Sequence, residues 1–420
     1  MSKAKIFKSS PKGVVRIPSS KSDAHRKIIC ASLCVNQTSV ISNVDFSNDI
    51  NATIEAMKHF ADIVIDEDKL IITGREIKEK EALFDAYESG STLRFLIPLF
   101  SFFFEKTKVI GTKRLLSRPL DIYHDIYQKD LVKEETSLII FKHSLNNYYQ
   151  IKGNISSQFI SGLLFVLPLL KQDTTIEIVN EYESKSYVNL TIEVLKLFGI
   201  EIKEIDNKYL IKGNQKYKAT NTQVEGDYSQ LAFFGVLGVI NSKIEVVNVN
   251  KDSIQGDRNI IKFIKEFNGK VEETSKGYIF SKSDLIGTTI DIKDNPDLGP
   301  ILFVLGTLSK GKTTILNTRR LRIKESDRIE SMKKELKKYH VDLIDYENHV
   351  EIYSSQIETP NEEVSSCNDH RILMSLSILS TLVEETTFSN VEAVNKSYPN
   401  FYQDLFNLGI EGEVYETKQE

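Results

Sequence analysis

The sequence predicts an α/β (mixed alpha+beta) protein of two domains, each built from three copies of a unit of about 70 residues. Six polar segments each precede a long apolar helix, and each helix is followed by a β-branched strand, an amphipathic helix and a hairpin. The first residues of the six strands follow one another at intervals of 67 to 73 residues. A chain of 420 residues is also too long for a single hydrophobic core. These observations favour six repeats in two domains.

The six apolar helices start with Ser, Asp or Asn side chains that can cap a helix. The segments carrying them are 19–26, 89–94, 156–159, 226–230, 295–297 and 368–371. In the first segment, Lys21 and Arg26 add positive charge to a helix start whose free N–H groups already favour anions. Taken alone, that segment is equally typical of an ordinary surface helix. The occurrence of five further segments of the same kind favours the anion site.

The strands after these helices are rich in β-branched residues, and the hairpins alternate apolar and polar residues as half-buried strands do. The predicted strands are 39–44, 108–111, 175–179, 243–249, 313–316 and 386–391. Clear hairpins occur at 63–74 and 200–213, and the last copy, which ends near Tyr415, is shortened. A further strand, 14–17, precedes the first motif helix, and we expect it to pair with the second half of the chain.

The domain boundary is predicted where the repeats divide three and three. Between Lys212 and Asp227 the sequence is polar and rich in turn residues, which is typical of a linker. We therefore expect an N-terminal domain of residues 19–225 and a C-terminal domain of residues 1–18 plus 226–420.

Composition excludes several classes of function. The net charge of −5 and the lack of a basic run argue against a nucleic-acid surface. Apolar runs stay shorter than the roughly 18 residues of a membrane span, and segment 1–13 lacks a signal-peptide core, so we expect a cytoplasmic protein. The three cysteines, Cys30, Cys34 and Cys367, lack zinc-site spacing, and we expect them to pack in the core.

One segment matches a nucleotide-binding pattern but lacks the strand before it and the helix after it that this pattern requires. Residues 306–313 read G-T-L-S-K-G-K-T, as a phosphate-binding P-loop does. A P-loop follows a strand and opens a helix, whereas this segment follows an apolar helix and leads into a predicted strand. We therefore interpret it as a turn and do not expect a P-loop phosphotransferase.

Positive charges cluster at the helix starts and in the loops beside them. The cations are Lys21, Arg26, Arg94, Arg118, Lys324, Arg328, Arg371 and Lys396. If the helix starts converge on one cleft, so many cations require ligands with several negative charges, and Arg suits phosphate and carboxylate groups. Beside such a cleft, Asp297 and Glu325 become candidates for a catalytic base and acid, although a helix-capping Asp297 is the alternative.

The segment 321–329 enters the amphipathic helix of the fifth repeat. We expect Lys324 and Arg328, four residues apart, to share a helical face, and Glu325 and Asp327 to point elsewhere. A solvated helix start is the alternative for this segment.

Over nearly its full length the chain resembles the 5-enolpyruvylshikimate-3-phosphate synthase family. The motifs that carry the resemblance, in chain order, are S-K-S-x-x-H-R at 20–26, S-G-S-T-x-R at 89–94, R-P at 118–119, S-S-Q-F at 156–159, S-K-x-Y at 184–187, P-D at 296–297, R-x-K-E-S-D-R at 322–328, D-H-R at 369–371 and K-x-Y-P at 396–399. Each motif is weak alone, but all of them in order make a specific signal.

The resemblance implies a fold and a reaction. The fold would be the two-domain enolpyruvyl transferase fold of six βαβαββ repeats, three per domain, with helices inside and sheets outside. The reaction would join the 5-hydroxyl of shikimate 3-phosphate to phosphoenolpyruvate and release phosphate through a tetrahedral intermediate. The resemblance implies no cofactor and no metal, and we expect a monomer whose partners are these two small molecules.

The resemblance also implies roles for individual residues. Shikimate 3-phosphate would be held by Lys21, Ser22, Arg26, Ser156, Ser157, Gln158, Ser184, Tyr187, Asp297 and Lys324. Phosphoenolpyruvate would be held by Lys21, Gly90, Arg118, Gln158, Arg328, Arg371 and Lys396. Asp297 would accept the proton of the attacking hydroxyl, and Glu325 with Lys21 would manage the proton at the methylene carbon.

Three residues depart from the family pattern. Glu88 stands where Asn is common, Ser186 where Pro is frequent, and Arg320 where a polar or acidic residue is common. They leave the reaction class unchanged. Members of the family are targets of glyphosate, which competes with phosphoenolpyruvate; Gly90 is compatible with sensitivity, and these departures leave the response open.

Two alternative functions would fit a repeat protein of this length. A UDP-N-acetylglucosamine enolpyruvyl transferase shares the implied fold but uses a cysteine in the loop after the second repeat strand, and residues 111–121 contain none. A non-catalytic repeat scaffold would be favoured by apolar, neutral helix starts, and these starts are charged.

Overall fold

A computed structural model of the chain describes residues 2–154 and 156–416. Residue 1 and residues 417–420 of the predicted C-terminal domain, and residue 155 of the predicted N-terminal domain, lie outside this part. The Cα positions group into two compact units. The N-terminal unit is Ser19–Glu225, and the C-terminal unit combines Met1–Pro18 with Gly226–Glu420.

The helices and strands are numbered separately in chain order. The helices are α1 Lys21–Ser32, α2 Asn48–Met57, α3 Gly90–Phe103, α4 Lys113–Leu116, α5 Asp121–Tyr127, α6 Ser157–Val166, α7 Lys185–Leu197, α8 Tyr228–Ile240, α9 Ile260–Glu266, α10 Gly299–Thr307, α11 Arg328–Lys337, α12 His370–Ser380 and α13 Phe401–Asn407. The strands are β1 Ser2–Phe7, β2 Gly13–Arg16, β3 Thr38–Ser42, β4 Ala61–Asp66, β5 Lys69–Gly74, β6 Glu81–Asp85, β7 Lys106–Ile110, β8 Leu131–Lys133, β9 Ser137–Phe141, β10 Tyr148–Lys152, β11 Thr174–Val179, β12 Ile202–Ile205, β13 Lys208–Ile211, β14 Thr222–Gln223, β15 Lys243–Val247, β16 Lys270–Glu273, β17 Gly277–Ser281, β18 Thr289–Asp291, β19 Lys312–Leu316, β20 Leu343–Asp345, β21 His349–Tyr353, β22 Val364–Ser365, β23 Glu385–Ser389 and β24 Gly412–Glu416.

The strands of the described residues form six four-stranded sheets of one design. In each sheet a lead strand lies parallel to a central strand, and two further strands continue the sheet on the other side of the central strand in antiparallel pairing. In five sheets these two strands form a hairpin, and in the sixth they are β1 and β24. The N-terminal unit has the orders β14-β3-β5-β4, β6-β7-β9-β8 and β10-β11-β13-β12. The C-terminal unit has the orders β16-β17-β15-β2, β18-β19-β21-β20 and β22-β23-β1-β24. The predicted fold class of six βαβαββ repeats is therefore confirmed.

Two sheets receive their lead strand from a distant part of the chain. As predicted, the strand near residues 14–17 pairs with the second half: β2 lies parallel to β15, with Val15 beside Val246. The predicted linker, residues 212–227, contains the boundary between the two units, and it also supplies β14, the lead strand of the first sheet, which pairs with β3. The sequence reading also missed β1, which pairs antiparallel with β23 and β24 and completes the shortened last repeat.

The apolar helices lie in the interior and begin at the predicted polar segments. Side chains of Ser20, Ser89, Ser156, Asp227 and Asp369 each accept a hydrogen bond from an N–H group of the first turn. The exception is α10, which follows a short 3₁₀ turn over Pro296–Leu298 and has no side-chain cap. The capping alternative for Asp297 is therefore wrong.

The turn predicted at residues 306–313 is confirmed, since the segment spans the end of α10 and the start of β19. Cys30 and Cys34 are fully buried in the core, as predicted. Cys367 is not a core residue: it lies half-buried in a turn before α12 with a positive φ of 50°. Among the described residues, none of the helices is long and apolar enough to cross a membrane.

Candidate active site

Helix α1 places Lys21 and Ser22 in its first turn. Ile28 and Ile29 of this helix are fully buried in the core, whereas Lys21 and Ser22 are half-buried. The Lys21 ammonium donates to a carboxylate oxygen of Asp49 on α2 at 2.7 Å. This ion pair places the Lys21 charge beside the start of α2.

Arg26 is buried one turn further along α1, and its guanidinium forms hydrogen bonds with other groups of the protein. Its guanidinium donates to the carbonyl oxygens of Ser22 at 2.5 Å and Tyr187 at 3.0 Å, and to the hydroxyl of Thr191 at 2.8 Å. Burial lowers the pKa of Arg26 to about 10, which still leaves it charged at neutral pH. Arg26 therefore joins the start of α1 to the start of α7, where Ser184 and Tyr187 lie.

A second set of polar side chains joins the starts of α3 and α6. Arg94 donates to the amide oxygen of Gln158 at 2.8 Å, and the amide nitrogen of Gln158 donates to Ser91 at 2.9 Å. Helices α3 and α6 approach each other closely at Gly162. A Cβ atom added there would lie 2.5 Å from the carbonyl oxygen of Arg94. The Gln158 amide is thus oriented by α3 from both of its ends.

Gly90 and Arg118 lie against each other beside this set. A Cβ atom at Gly90 would come within 2.4 Å of a terminal nitrogen of the Arg118 guanidinium. Arg118 lies in the loop after α4, and Glu88, one of the departures from the family pattern, is half-buried two residues before Gly90. The absence of a side chain at position 90 therefore makes room for a cation.

The remaining predicted residues of the N-terminal unit lie at the starts of α6 and α7. Ser156 caps α6, and Ser157 is buried in its first turn. Ser184 is fully buried in the left-handed conformation, with φ of 55°, directly before α7. Tyr187 is half-buried in the first turn of α7.

In the C-terminal unit, Asp297 is surrounded by three cations. One carboxylate oxygen lies 3.2 Å from the Lys324 ammonium and 2.9 Å from Arg328, and the other lies 3.2 Å from Arg371. Burial alone would raise the pKa of Asp297, but the three cations hold this pKa well below the ordinary value. Asp297 is therefore an ionised carboxylate.

Arg328 contacts three carboxylates with three different nitrogens. Nε donates to Asp369 at 2.9 Å, one terminal nitrogen to Asp297 at 2.9 Å, and the other to Glu325 at 2.6 Å. Burial would lower the pKa of Arg328, but these carboxylates raise it above the ordinary value. Arg328 thus holds both predicted catalytic carboxylates.

The helical arrangement predicted for segment 321–329 was wrong. Lys324 has an extended backbone after a 3₁₀ turn, and α11 begins only at Arg328 with Asp327 as its cap. The two cations nevertheless meet at Asp297, and Glu325 points towards Arg328 rather than away from it. An extended segment, and not a shared helical face, brings these groups together.

Arg371 joins three helix starts. One terminal nitrogen of the guanidinium donates to Ser229 at the start of α8 at 3.1 Å and to Asp297 before α10. The backbone N–H of Arg371 donates to Asp369 at 2.9 Å. Within this unit the helix starts converge as predicted. Lys396, buried after the sixth repeat strand, donates to the carbonyl oxygen of Asn368 at 2.5 Å.

Burial has a different effect on Lys324. It lowers the pKa of Lys324 to about 8, because Asp297 offsets the loss of hydration only in part and Arg328 and Arg320 add repulsion. Arg320, a departure from the family pattern, is thus close enough to influence the site. No group of three or more His, Cys, Asp or Glu side chains in residues 2–154 and 156–416 is arranged to hold a metal ion.

Sequence reasoning assigned no role to five residues whose side chains contact the predicted site residues: Asp49, Ser91, Thr191, Ser229 and Asp369. Asp369 was visible as part of the D-H-R motif and as a helix cap, but its contact with Arg328 spans 41 residues of sequence. Asp49 and Ser229 carried no signal beyond their position near helix starts.

Comparisons with known proteins agree along almost the whole chain. A family model described as EPSP synthase (3-phosphoshikimate 1-carboxyvinyltransferase) matches residues 8–405. The 3-phosphoshikimate 1-carboxyvinyltransferase of Clostridium perfringens (strain ATCC 13124) is 44% identical over 420 residues, covering 97% of this chain and 99% of the relative. That of Clostridioides difficile (strain 630) is 40% identical, covering 97% and 98%.

Two solved structures share the fold. EPSP synthase from Acinetobacter baumannii matches with a TM-score of 0.80 and 23% identity, covering 99% of this chain and 100% of that chain. The enolpyruvyl transferase NikO from Streptomyces tendae matches with a TM-score of 0.78 and 14% identity, covering 99% of each chain. At these identities the two matches establish similarity of fold.

Proposed function

This chain belongs to the EPSP synthase (3-phosphoshikimate 1-carboxyvinyltransferase) family, and we propose that it transfers the 1-carboxyvinyl group of phosphoenolpyruvate to the 5-hydroxyl of shikimate 3-phosphate, with release of phosphate. The resemblance inferred from the sequence motifs is thereby confirmed. The reaction belongs to the shikimate pathway, which leads to chorismate and the aromatic amino acids. The observation that carries the proposal is the contact of Arg328 with both Asp297 and Glu325 in a cluster of cations.

The proposed binding roles follow the chemistry of each group. Cations and polar side chains hold the phosphate and carboxylate groups of the substrates. For shikimate 3-phosphate these residues are Lys21, Ser22, Ser156, Ser157, Gln158, Ser184, Tyr187, Asp297 and Lys324, with Arg26 acting through the backbone of Ser22 and Tyr187. For phosphoenolpyruvate they are Lys21, Gly90, Arg118, Gln158, Arg328, Arg371 and Lys396.

The proposed chemistry has two steps. First, the 5-hydroxyl oxygen bonds to C2 of phosphoenolpyruvate while Asp297 takes the hydroxyl proton, and C3 gains a proton through Glu325 and Lys21. Second, the bond from C2 to the phosphate oxygen breaks, phosphate leaves with the electron pair, and C3 loses a proton so that the double bond re-forms. Atoms and charge balance without an oxidant or a further reactant.

The cations around Asp297 explain how a strongly ionised carboxylate becomes a useful base. Arg328 and Arg371 are proposed to hold phosphoenolpyruvate, so its negative charge offsets theirs when it binds. With less positive charge acting on Asp297, the pKa of this carboxylate moves up towards the range that favours proton transfer.

The test measures phosphate release from phosphoenolpyruvate plus shikimate 3-phosphate, with each substrate omitted in turn. We expect release only when both are present. Asp297→Asn should still bind both substrates but lose at least about 100-fold in kcat, which is the lower range for a missing general base. The exposed Asp342→Asn is the matched control and should retain wild-type kcat. Release without shikimate 3-phosphate, or full activity of Asp297→Asn, contradicts the proposal.

We also propose that the chain acts as a monomer in the cytoplasm, where both metabolites are available. Light scattering of the purified chain during size-exclusion chromatography tests the oligomeric state. A mass near 47.9 kDa supports the proposal, and a multiple of that mass contradicts it.

A further inference from the structure

A row of fully buried polar side chains crosses the apolar interior of the N-terminal unit. The row consists of His25 on α1, Thr53 on α2, Thr92 in the first turn of α3, and Ser89, which caps α3. All four side chains have 0% exposure. A buried hydroxyl or imidazole without partners is destabilising, so such a row in a hydrophobic core needs a physical reason.

The row is continuous in hydrogen bonds. Nδ1 of His25 lies 2.7 Å from the Thr53 hydroxyl, and that hydroxyl lies 2.7 Å from the hydroxyl of Thr92. The Thr92 hydroxyl donates to the Ser89 hydroxyl at 2.8 Å, and the N–H of Thr92 donates to the same oxygen at 3.1 Å. Three helices are therefore joined by a single chain of polar contacts.

The protons along the row can be assigned from their surroundings. Nε2 of His25 is buried and has no hydrogen-bond partner among the described residues, and the Phe95 ring lies nearly perpendicular to the imidazole, with ring centroids 6.3 Å apart. A bare ring nitrogen in such a place costs less than an unpaired N–H, so the proton belongs on Nδ1. Nδ1 then donates to Thr53, Thr53 to Thr92, and Thr92 to Ser89.

His25 keeps one charge state. Burial, with the nearby cations Lys21 and Arg26, holds the pKa of His25 well below its ordinary value. The imidazole is therefore neutral at working pH, and the direction of the row does not change with pH.

Both ends of the row lead to groups assigned to phosphoenolpyruvate. Lys21 lies one turn before His25 and is paired with Asp49 on α2, one turn before Thr53. At the other end, Ser89 precedes Gly90, which lies against Arg118. The carbonyl oxygen of Asp49 also lies 3.4 Å from the Thr92 hydroxyl. The row therefore connects the Lys21 segment to the Gly90 segment.

We propose that His25, Thr53, Thr92 and Ser89 form a positioning network that sets the Lys21–Asp49 pair against the Gly90 segment for phosphoenolpyruvate binding. The inference rests on the proposed function. Directional polar contacts specify one relative placement of three helices, whereas apolar packing alone tolerates small shifts. A misplacement of about 1 Å in such a site reduces rates by up to about 100-fold.

The test compares three variants with the wild-type chain in the two-substrate assay. Thr53→Val removes the central hydroxyl, Thr53→Ser keeps it, and Thr107→Val is the matched control. Thr107 is a fully buried threonine on β7 of the same unit whose hydroxyl has no hydrogen-bond partner among the described residues. Activity of the wild-type chain tests the proposed function, and the differences between variants test the network.

We expect Thr53→Val to raise the KM for phosphoenolpyruvate about tenfold, while the KM for shikimate 3-phosphate changes by less than about threefold. Thr53→Ser and Thr107→Val should remain near wild type in both. An equal effect of Thr53→Val and Thr107→Val, or failure of Thr53→Ser to restore the KM, overturns the proposal.

If Thr53→Val does not fold, Thr92→Val replaces it and is judged by the same criteria. Thr92→Val removes the next hydroxyl of the row, and Thr92→Ser serves as its conservative variant. Loss of folding in both valine variants would also overturn the proposal, because the row would then stabilise the unit instead of positioning the site.

Discussion

Several charged side chains of the candidate site are buried against specific partners. Arg328 illustrates the principle: its exposed fraction is 1%, and all of its guanidinium nitrogens donate to carboxylates. Removing one member of a buried pair leaves the other uncompensated, which costs about 3–5 kcal/mol. Substitutions that keep charge or shape are therefore more informative than alanine in this cluster.

Lys324 should give the reaction a pH dependence on the alkaline side. Burial lowers the pKa of Lys324 to about 8, so the ammonium is charged below this pH and becomes neutral as the pH rises through it. We expect kcat/KM for shikimate 3-phosphate, which reports on the free enzyme, to fall above about pH 8. Lys324→Arg should remove this decline, since Arg stays protonated.

The matched control for this prediction is Lys333→Arg on the exposed side of α11. It should leave the pH profile unchanged. An alkaline decline that persists in Lys324→Arg would assign the titration to another group.

Gly90→Ala should weaken phosphoenolpyruvate binding through Arg118. The added Cβ atom would lie 2.4 Å from a terminal nitrogen of the guanidinium, so Arg118 has to move. We expect a rise of about tenfold or more in the KM for phosphoenolpyruvate, measured by steady-state kinetics. In an Arg118→Ala background, Gly90→Ala should add little, because the clash is gone. Additive effects would show that Gly90 acts independently of Arg118.

Local sequence patterns predicted much of the chemistry at this scale and missed the geometry. The positions of Asp297, Lys324, Arg328 and Arg371 in charged segments next to apolar helices were enough to predict a cationic cluster. The contact of Glu325 with Arg328 was not predictable, because it depends on an extended backbone at Lys324 where the i, i+4 spacing favoured a helix.

At the scale of elements, caps and hydrophobic periodicity set where helices begin, and long-range pairing completes the sheets. β1 is the clearest example of the second effect. It lies between β23 and β24, and its Ala4 and Ile6 are fully buried. A strand of six residues at the start of the chain is therefore an interior strand of the last sheet.

Ile6→Ala should destabilise the C-terminal unit strongly. The substitution leaves a cavity at a fully buried position of an interior strand. Ile→Ala changes of this kind lower the free energy of unfolding by about 2–5 kcal/mol. Urea denaturation measured by circular dichroism would show the shift of the midpoint. The control is Lys5→Ala, whose side chain lies in a surface ion pair with Glu385 and should have a smaller effect. Equal shifts for both variants would mean that β1 is not an interior strand.

The elements that sequence reasoning missed have partners far away in the chain. β1 pairs with residues more than 370 positions later, and β14 pairs with β3 about 180 positions earlier. β14 has only two residues, which is too short for a periodic pattern to appear. In contrast, the helices α1, α3 and α6 have a cap and a long apolar run, and both signals are local.

At the scale of the whole molecule, the buried apolar side chains of the described residues form two separate clusters. One cluster contains residues 24–224, and the other contains residues from β1 and β2 together with residues 228–410. Each cluster belongs to one of the two units. The predicted domain division follows the same boundary, and we propose that the units are two domains.

Two cores should respond separately to mutation. Ile72 belongs to the core of the N-terminal unit and Ile6 to that of the C-terminal unit, and both are fully buried. Hydrogen–deuterium exchange should become faster in peptides from 226–416 for Ile6→Ala, and in peptides from 19–225 for Ile72→Ala. Faster exchange throughout the chain in either variant would indicate one cooperative unit instead of two.

The pairing of β1 has a consequence for synthesis on the ribosome. The N-terminal unit acquires its last sheet strand, β14, at residues 222–223, so it can complete its three sheets as soon as that segment emerges. β1 is made before β23 and β24 and finds its neighbours only when they have been translated. During most of elongation this nascent strand exposes unpaired backbone groups, as the edge strands that associate with other chains do. Lys3 and Lys5, alternating with the buried Ala4 and Ile6, are charges of the kind that oppose such association until β23 and β24 emerge.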